Sequence, residues 1–270
     1  MFSSRIILNP VESEWVLLIH GFGGSSNTWQ RQIEAYSQKF NLLLLDMHDR
    51  ADMLGAGSQL TIDWVCAAIA ETMDHHNVPR AHVVSLSLGT MLAISFAVQY
   101  PHRVISMVMA GGVIRFNVRT QVLLFLAQLL KNMVPYMKLY RFFAFLIMPR
   151  ENHRQSRDIF IREADKLGHE EFCRWLDLIY LIRNNEHLID KLNDLDPNLD
   201  ILYVMGSEDH LFKSKIVHYA AQLRSAQVHI IPDCGHVCTI EKDQEFTELS
   251  MSFLTAHGEG TGQIMVYKAV

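Results

Sequence analysis

Cysteine is scarce in this chain: Cys66, Cys173, Cys234 and Cys238 are the four in 270 residues, too few for a disulfide framework. Long hydrophobic runs are also absent. The nearest candidates, residues 122–130 and 142–148, are separated by Lys131, Pro135, Lys138 and Arg141, and neither approaches the ~18 apolar residues of a membrane span. Residues 1–12 hold Arg5, Pro10 and Glu12 but no long apolar stretch. No signal peptide is readable there, and the expected location is cytoplasmic. Basic charge is in deficit, 24 Lys plus Arg against 29 Asp plus Glu for a net charge of -5, which argues against nucleic acid as a partner. With 49% hydrophobic and 20% charged residues, the composition excludes a disordered chain. A chain of this length buries about three-quarters of its unfolded surface and needs no metal or disulfide staples.

What is present is an alternation. Six short apolar runs, at 16–19, 42–45, 82–84, 104–109, 201–205 and 228–231, each end in turn-forming residues. Short branched runs of this kind suit strands buried on both faces. Helix-period segments lie between and after them at 61–75, 88–99, 214–223 and 244–254, with Pro101 closing the second. The pattern predicts an α/β fold, a mostly parallel central sheet flanked by helices. Residues 115–198 break the rhythm: they are helical in pattern, punctuated by Pro135 and Pro149, with no strand. The expected organisation is a core of residues 1–114 and 199–257, a helical lid inserted at 115–198, and a tail at 258–270. That tail is read as either an extra strand or a disordered end.

The strongest chemical signal is Ser85-Leu86-Ser87-Leu88-Gly89, between a strand and a helix of small residues. A sharp strand-to-helix turn lifts the central serine hydroxyl clear of the sheet, and its neighbours two before and two after must be small. A serine hydroxyl needs a base, and the base needs a carboxylate to orient it. Asp209, in Gly206-Ser207-Glu208-Asp209-His210, and His236, in Cys234-Gly235-His236, follow the fifth and sixth runs in the required order. Glu208 is the alternative acid, and Asp209 could instead cap the helix that follows it. His20-Gly21-Phe22-Gly23-Gly24 brings backbone N–H groups close to a substrate oxygen. The N–H groups of Phe22 and Leu88 are the expected oxyanion donors. Cys234, His236 and Cys238 also admit a metal reading, but no fourth ligand is evident, and neither metal nor organic cofactor is implied.

On these motifs the chain resembles the α/β-hydrolase family along nearly its whole length. The resemblance implies a serine hydrolase with a helical lid. It also implies reactions on esters, thioesters or amides, and in some members C–C bond cleavage or peracid formation. Serine at the nucleophile position argues against the dehalogenase and epoxide hydrolase branches. Three features depart from the family pattern: Ser85 stands where glycine is usual, Asp46-Met47-His48-Asp49-Arg50 replaces a Gly-rich turn, and only residues 2–9 precede the first confident strand. The sheet is therefore expected to lack one edge strand.

Residues 115–150 contain Arg115, Arg119, Lys131, Lys138, Arg141 and Arg150, no acid, and abundant Leu, Phe and Met. Such a lid points to an apolar ester or acyl substrate, with Gly21, Leu86, Leu126, Phe143 and Val237 as expected pocket residues. Its basic residues read either as a solvated rim, the favoured reading, or as a rim that meets anionic headgroups, a carrier-protein surface or a membrane. The expected function is carboxylic ester hydrolysis through an acyl-enzyme. Thioester or C–C bond hydrolysis, perhydrolysis, and a slow-turnover binding or signalling protein are the alternatives.

Overall fold

A computed structural model of the chain describes residues 1–11, 13–48, 59–184, 187–196 and 198–257. The predicted tail at 258–270 and residues 49 and 50 of the atypical turn lie outside the described residues.

Seven described strands form one sheet: β1 (Ser3–Ile7), β2 (Trp15–Ile19), β3 (Asn41–Asp46), β4 (Ala81–Leu86), β5 (Val104–Ala110), β6 (Ile201–Gly206) and β7 (Ala226–Ile231). Their spatial order is β1-β3-β2-β4-β5-β6-β7. All neighbours are parallel except β1, which runs antiparallel to β3. The short N-terminal stretch thus supplies the antiparallel edge. Strands β4 and β6 are buried along their whole length, as expected of a parallel sheet covered on both faces, and the buried polar residues of β4, His82 and Ser85, are hydrogen-bonded to β5. The exception is β7, which was expected to be buried on both faces. It is half-buried along most of its length because it forms the opposite edge.

Helices α1 (Gln30–Ser37), α2 (Ile62–His75) and α3 (Leu88–Gln99) connect the first five strands. Thr61 starts α2 by accepting the Trp64 N–H. Five helices, α4 (Val118–Leu130), α5 (Tyr136–Ile147), α6 (Arg154–Ala164), α7 (His169–Ile182) and α8 (His187–Leu195), form an insertion between β5 and β6. Asn117 caps α4 through the Thr120 N–H, and Pro135 stands immediately before α5. The chain then completes the core with α9 (Lys213–Ala220), α10 (Cys238–Glu241) and α11 (Asp243–Ala256).

The parallel register decides where side chains meet. Ile19 pairs with Ser85 and Leu86 with Ala110. The turns after β2, β4 and β5 therefore leave the sheet at one level, at the strand C-terminal ends where open α/β sheets gather their sites.

Candidate active site

Ser87 occupies the turn between β4 and α3 with φ 54° and ψ -120°. Such a conformation costs a non-glycine residue about 1–3 kcal/mol. The surroundings hold it there: its N–H donates to Ala110 O at 3.0 Å and its carbonyl accepts from Thr90. Two glycines permit the turn. A Cβ on Gly89 would stand 2.5 Å from Ile19 O, and one on Gly21 would stand 3.1 Å from the Ser87 Cβ. Ser85 fits where glycine is usual because it is a buried β4 residue whose hydroxyl faces the Met109 Sδ at 3.1 Å.

The Ser87 Oγ lies 2.8 Å from His236 Nε2, and His236 Nδ1 lies 2.8 Å from Asp209 Oδ2. His236 and Asp209 are both buried. The other Asp209 oxygen accepts the N–H groups of Leu211 at 3.2 Å and Phe212 at 3.0 Å. This oxygen braces the turn that precedes α9 and does not cap the helix, whose N-cap is Phe212 without a side-chain bond, so of the two roles expected as alternatives the structure has the orienting one. Burial alone pushes the Asp209 carboxyl upward. The adjacent His236 and the hydrogen bonds from His236, Phe212 and Leu211 outweigh burial and hold the group below its ordinary range. A permanent carboxylate there fixes the tautomer that carries a proton on Nδ1, leaving Nε2 free to take the serine proton. Among the described residues, neither the Phe22 N–H nor the Leu88 N–H has a hydrogen-bond partner. The phenyl ring of Phe212 covers the His236 imidazole at 5.1 Å between centroids.

The Gly-rich loop is braced from below and above. Asp46 accepts the Ser26 N–H at 2.6 Å. The buried His20 faces Gly21 O through Nδ1 at 2.8 Å and accepts the Met47 N–H through Nε2 at 3.1 Å. His48 accepts the Gly23 N–H at 3.2 Å. Burial holds both imidazoles below the ordinary histidine range, and for His48 the neighbouring His20 adds to it. Above the loop, the Tyr140 hydroxyl of α5 donates to Phe22 O at 3.0 Å. Phe172 of α7 packs on the Phe22 ring at 5.5 Å, and Trp175 meets His48 edge-on at 4.7 Å. Gly23 must be glycine for two reasons: its φ is +74°, and a Cβ would stand 2.4 Å from the Tyr140 Oη.

A second brace was not foreseen from sequence. Glu241 on α10 accepts the N–H of Gly235 at 2.5 Å and that of Val237 at 3.3 Å, so one carboxylate holds both neighbours of His236. Its oxygen nearer Val237 also accepts the hydroxyl of Ser156, from α6 of the insertion, at 2.9 Å. Beside it the buried His153 lies 2.7 Å from Glu208 Oε2. Asn152 and Arg150 donate to the same Glu208 carboxylate, and these donors hold it below its ordinary range. Glu208, the alternative acid, therefore faces the insertion and not His236. The only sequence signal for this brace was its position next to the predicted site residues, since isolated polar residues carry no periodicity.

The remaining predicted residues fall as follows. Gly21 abuts Ser87, Leu86 ends β4 fully buried, and Val237 is buried beside His236. Phe143 is partly buried and packs edge-on against Phe142. Leu126 is 44% exposed, on the side of α4 away from the buried Leu124 and Ala127, so its expected pocket place gives way to a surface one. The metal reading also loses its ligand: both His236 nitrogens are engaged, and the Cys234 and Cys238 thiols, pushed upward by burial, face backbone carbonyls.

The family profile described as alpha/beta hydrolase fold matches residues 14–243. A dihydrolipoyllysine-residue acetyltransferase component of the acetoin cleaving system from Cupriavidus necator is 27% identical over 244 residues, covering 88% of this chain and 62% of the relative. The chain thus spans about three-fifths of the length of the first curated relatives it matches. A 2-hydroxy-6-oxononadienedioate/2-hydroxy-6-oxononatrienedioate hydrolase from Paraburkholderia phymatum is 23% identical, covering 89% of this chain and 87% of the relative. Among solved structures, a carboxylesterase of the thaumarchaeon Nitrososphaera gargenis superposes with a TM-score of 0.78 at 19% identity, covering 94% and 93% of the two chains.

Proposed function

The chain belongs to the alpha/beta hydrolase fold family, and from that premise we propose that it is a serine hydrolase cleaving a carboxylic ester with an apolar acyl part. The observation that carries the reading is the unbroken chain from Ser87 through His236 to Asp209, with 2.8 Å at each link. The Ser87 Oγ attacks the ester carbonyl carbon as its proton passes to His236 Nε2. The carbonyl oxygen, now an anion, is held by the N–H groups of Phe22 and Leu88, each such donor contributing about 3 kcal/mol. His236 returns the proton to the leaving alcohol, which departs from the acyl-Ser87 ester. Water then attacks the acyl carbonyl carbon as one of its protons passes to His236 Nε2, and the Ser87–acyl bond breaks as His236 returns that proton to Ser87 Oγ, which releases the acid and restores the free serine. Asp209 keeps the imidazole oriented and stabilises its charged form throughout. No metal or organic cofactor takes part.

The apolar preference is supported by the buried side chains beside the chemistry, Leu88, Phe212 and Val237, and by Phe22 under Tyr140 and Phe172. On this reading the insertion is a lid over the oxyanion loop, with the boundaries 115–198. The test is labelling by a fluorophosphonate together with turnover of nitrophenyl esters of increasing acyl length. Ser87→Ala should abolish labelling and lower kcat by up to about a millionfold, and longer acyl chains should raise kcat/KM. Folded protein that does not label, or that labels equally as Ser87→Ala, refutes the serine mechanism. Best turnover with acetate refutes the apolar pocket. A second reading, C–C bond hydrolysis by the same three residues, is favoured by the similarity to the Paraburkholderia phymatum hydrolase. A dienoate substrate turned over faster than every ester and thioester would select it. Labelling without turnover of any panel member would instead select a slow binding or signalling protein.

A further inference from the structure

Helix α4 buries Thr120, Leu124 and Ala127 and turns its other side outward. On that side Val118, Val122, Phe125, Leu126 and Leu129 recur at helical spacing, and Met133 continues them into the following turn. Exposure runs from 44% for Leu126 to 80% for Met133. A solvated helix normally carries polar residues on such a face, and a contiguous apolar patch marks a contact surface. Helix α5 likewise buries Leu139, Tyr140 and Ala144 and exposes Lys138, Arg141, Phe142 and Phe145.

Charge tells what covers this surface. Residues 115–150 hold six basic side chains and no acid, so with -5 for the whole chain the other residues carry -11. Lys131 and Arg150 are bound to Asp177 and Glu208. Arg119, Lys138 and Arg141 are exposed and have no partner among the described residues. A second copy docked through the same face would set these like charges against one another. An anionic surface with an apolar interior complements both features. Among the described residues no helix is long and apolar enough to cross a membrane, so the contact is peripheral.

We infer that the insertion docks on an anionic lipid bilayer through the exposed sides of α4 and α5, the α4 stripe and Met133 entering the headgroup–acyl boundary while Arg119, Lys138 and Arg141 meet the lipid phosphates. The acidic remainder of the chain is repelled by the same surface, which orients the molecule with its insertion toward the lipid. Docking is independent of the chemistry at Ser87. If the hydrolase reading holds as well, docking sets the insertion against the phase in which apolar acyl compounds dissolve.

The experiment is co-sedimentation of the full chain with vesicles of phosphatidylcholine alone and with about a third phosphatidylserine, at low and high salt. Strong partitioning is expected only on the anionic vesicles at low salt. Arg119→Glu/Lys138→Glu/Arg141→Glu should weaken it at least a hundredfold, at about fivefold for each cation lost. Leu129→Ser/Met133→Ser should weaken it at least about tenfold with the charges intact. Thermal unfolding like that of the parent establishes that both variants are folded. Equal partitioning on neutral and anionic vesicles, no partitioning on either, or variants that sediment like the parent would each overturn the inference. So would a stable dimer in light scattering that Leu129→Ser/Met133→Ser dissociates.

Discussion

Glu241 gives the sharpest test of how the His236 loop is held. One of its oxygens accepts the Gly235 N–H, and the other accepts the Val237 N–H and the Ser156 hydroxyl. Glu241→Gln keeps the shape but replaces one acceptor oxygen with an NH₂ donor. Whichever way the amide turns, a backbone N–H flanking His236 then faces another donor. Losing a charge-assisted bond and stranding its buried donor costs about 2–3 kcal/mol. In a chain of this length that lowers Tm by about 4–5 °C. Glu241 bonds the neighbours of His236 and not the Ser87 hydroxyl, so KM for a nitrophenyl ester should change little. The imidazole, released from its fixed height above Ser87, should lower kcat between about tenfold and a hundredfold, the scale of an ångström-sized misplacement. Steady-state kinetics and thermal unfolding on the same preparation decide the matter. A Tm that falls as expected while kcat holds would make Glu241 a structural tie alone. Both quantities unchanged would refute the hydrogen-bond argument altogether.

Three further outcomes follow from the same geometry. Tyr140→Phe removes the donor to Phe22 O, worth about 1 kcal/mol; kcat should fall severalfold through the Phe22 N–H proposed as an oxyanion donor while Tm moves little, and an unchanged kcat would detach α5 from the site. Gly89→Ala places a methyl 2.5 Å from Ile19 O and 2.7 Å from His20 O, both backbone atoms that cannot move cheaply, so soluble yield and Tm should collapse; a well-folded variant would mean that the β2–α3 approach is looser than described. His20 and His48 resist protonation only while folded, because burial holds them below the ordinary value. The unfolded chain takes the proton first, so their contribution is complete above about pH 6.5 and is lost as pH falls toward the folded values. Tm followed from neutral to mildly acid pH should decline, and His48→Gln should flatten the decline; a parent Tm flat across that window would show that neither ring titrates on unfolding. Asp209, held low, belongs to a more acid window, losing its contribution only as pH falls below the ordinary carboxylate range.

The strands, the order of their motifs and the position of the insertion were legible because they rest on local chemistry. An apolar run closed by turn formers specifies a buried parallel strand whatever lies elsewhere, and a serine between small residues at a strand–helix junction specifies the turn. Parallel register then carries Ser87, Asp209 and His236 to the same end of the sheet, so their proximity followed from topology. Glu208 and Asp209 could not be told apart in this way. They are chain neighbours of the same chemistry, and only folding turned one toward His236 and the other toward His153.

What the local pattern could not contain is the set of contacts the insertion makes with the core. Tyr140 meets Phe22 across 118 residues, and Ser156 meets Glu241 across 85. Leu126 and Leu124 are the same residue two positions apart, yet one faces solvent and the other the core. Hydrophobic periodicity says that a helix has a buried side, but α4 carries large apolar residues on both its buried and its exposed side, so its sequence does not say which is which. The packing of α4 against α7 makes that choice, because burial is a relation between elements and is defined only once they have met.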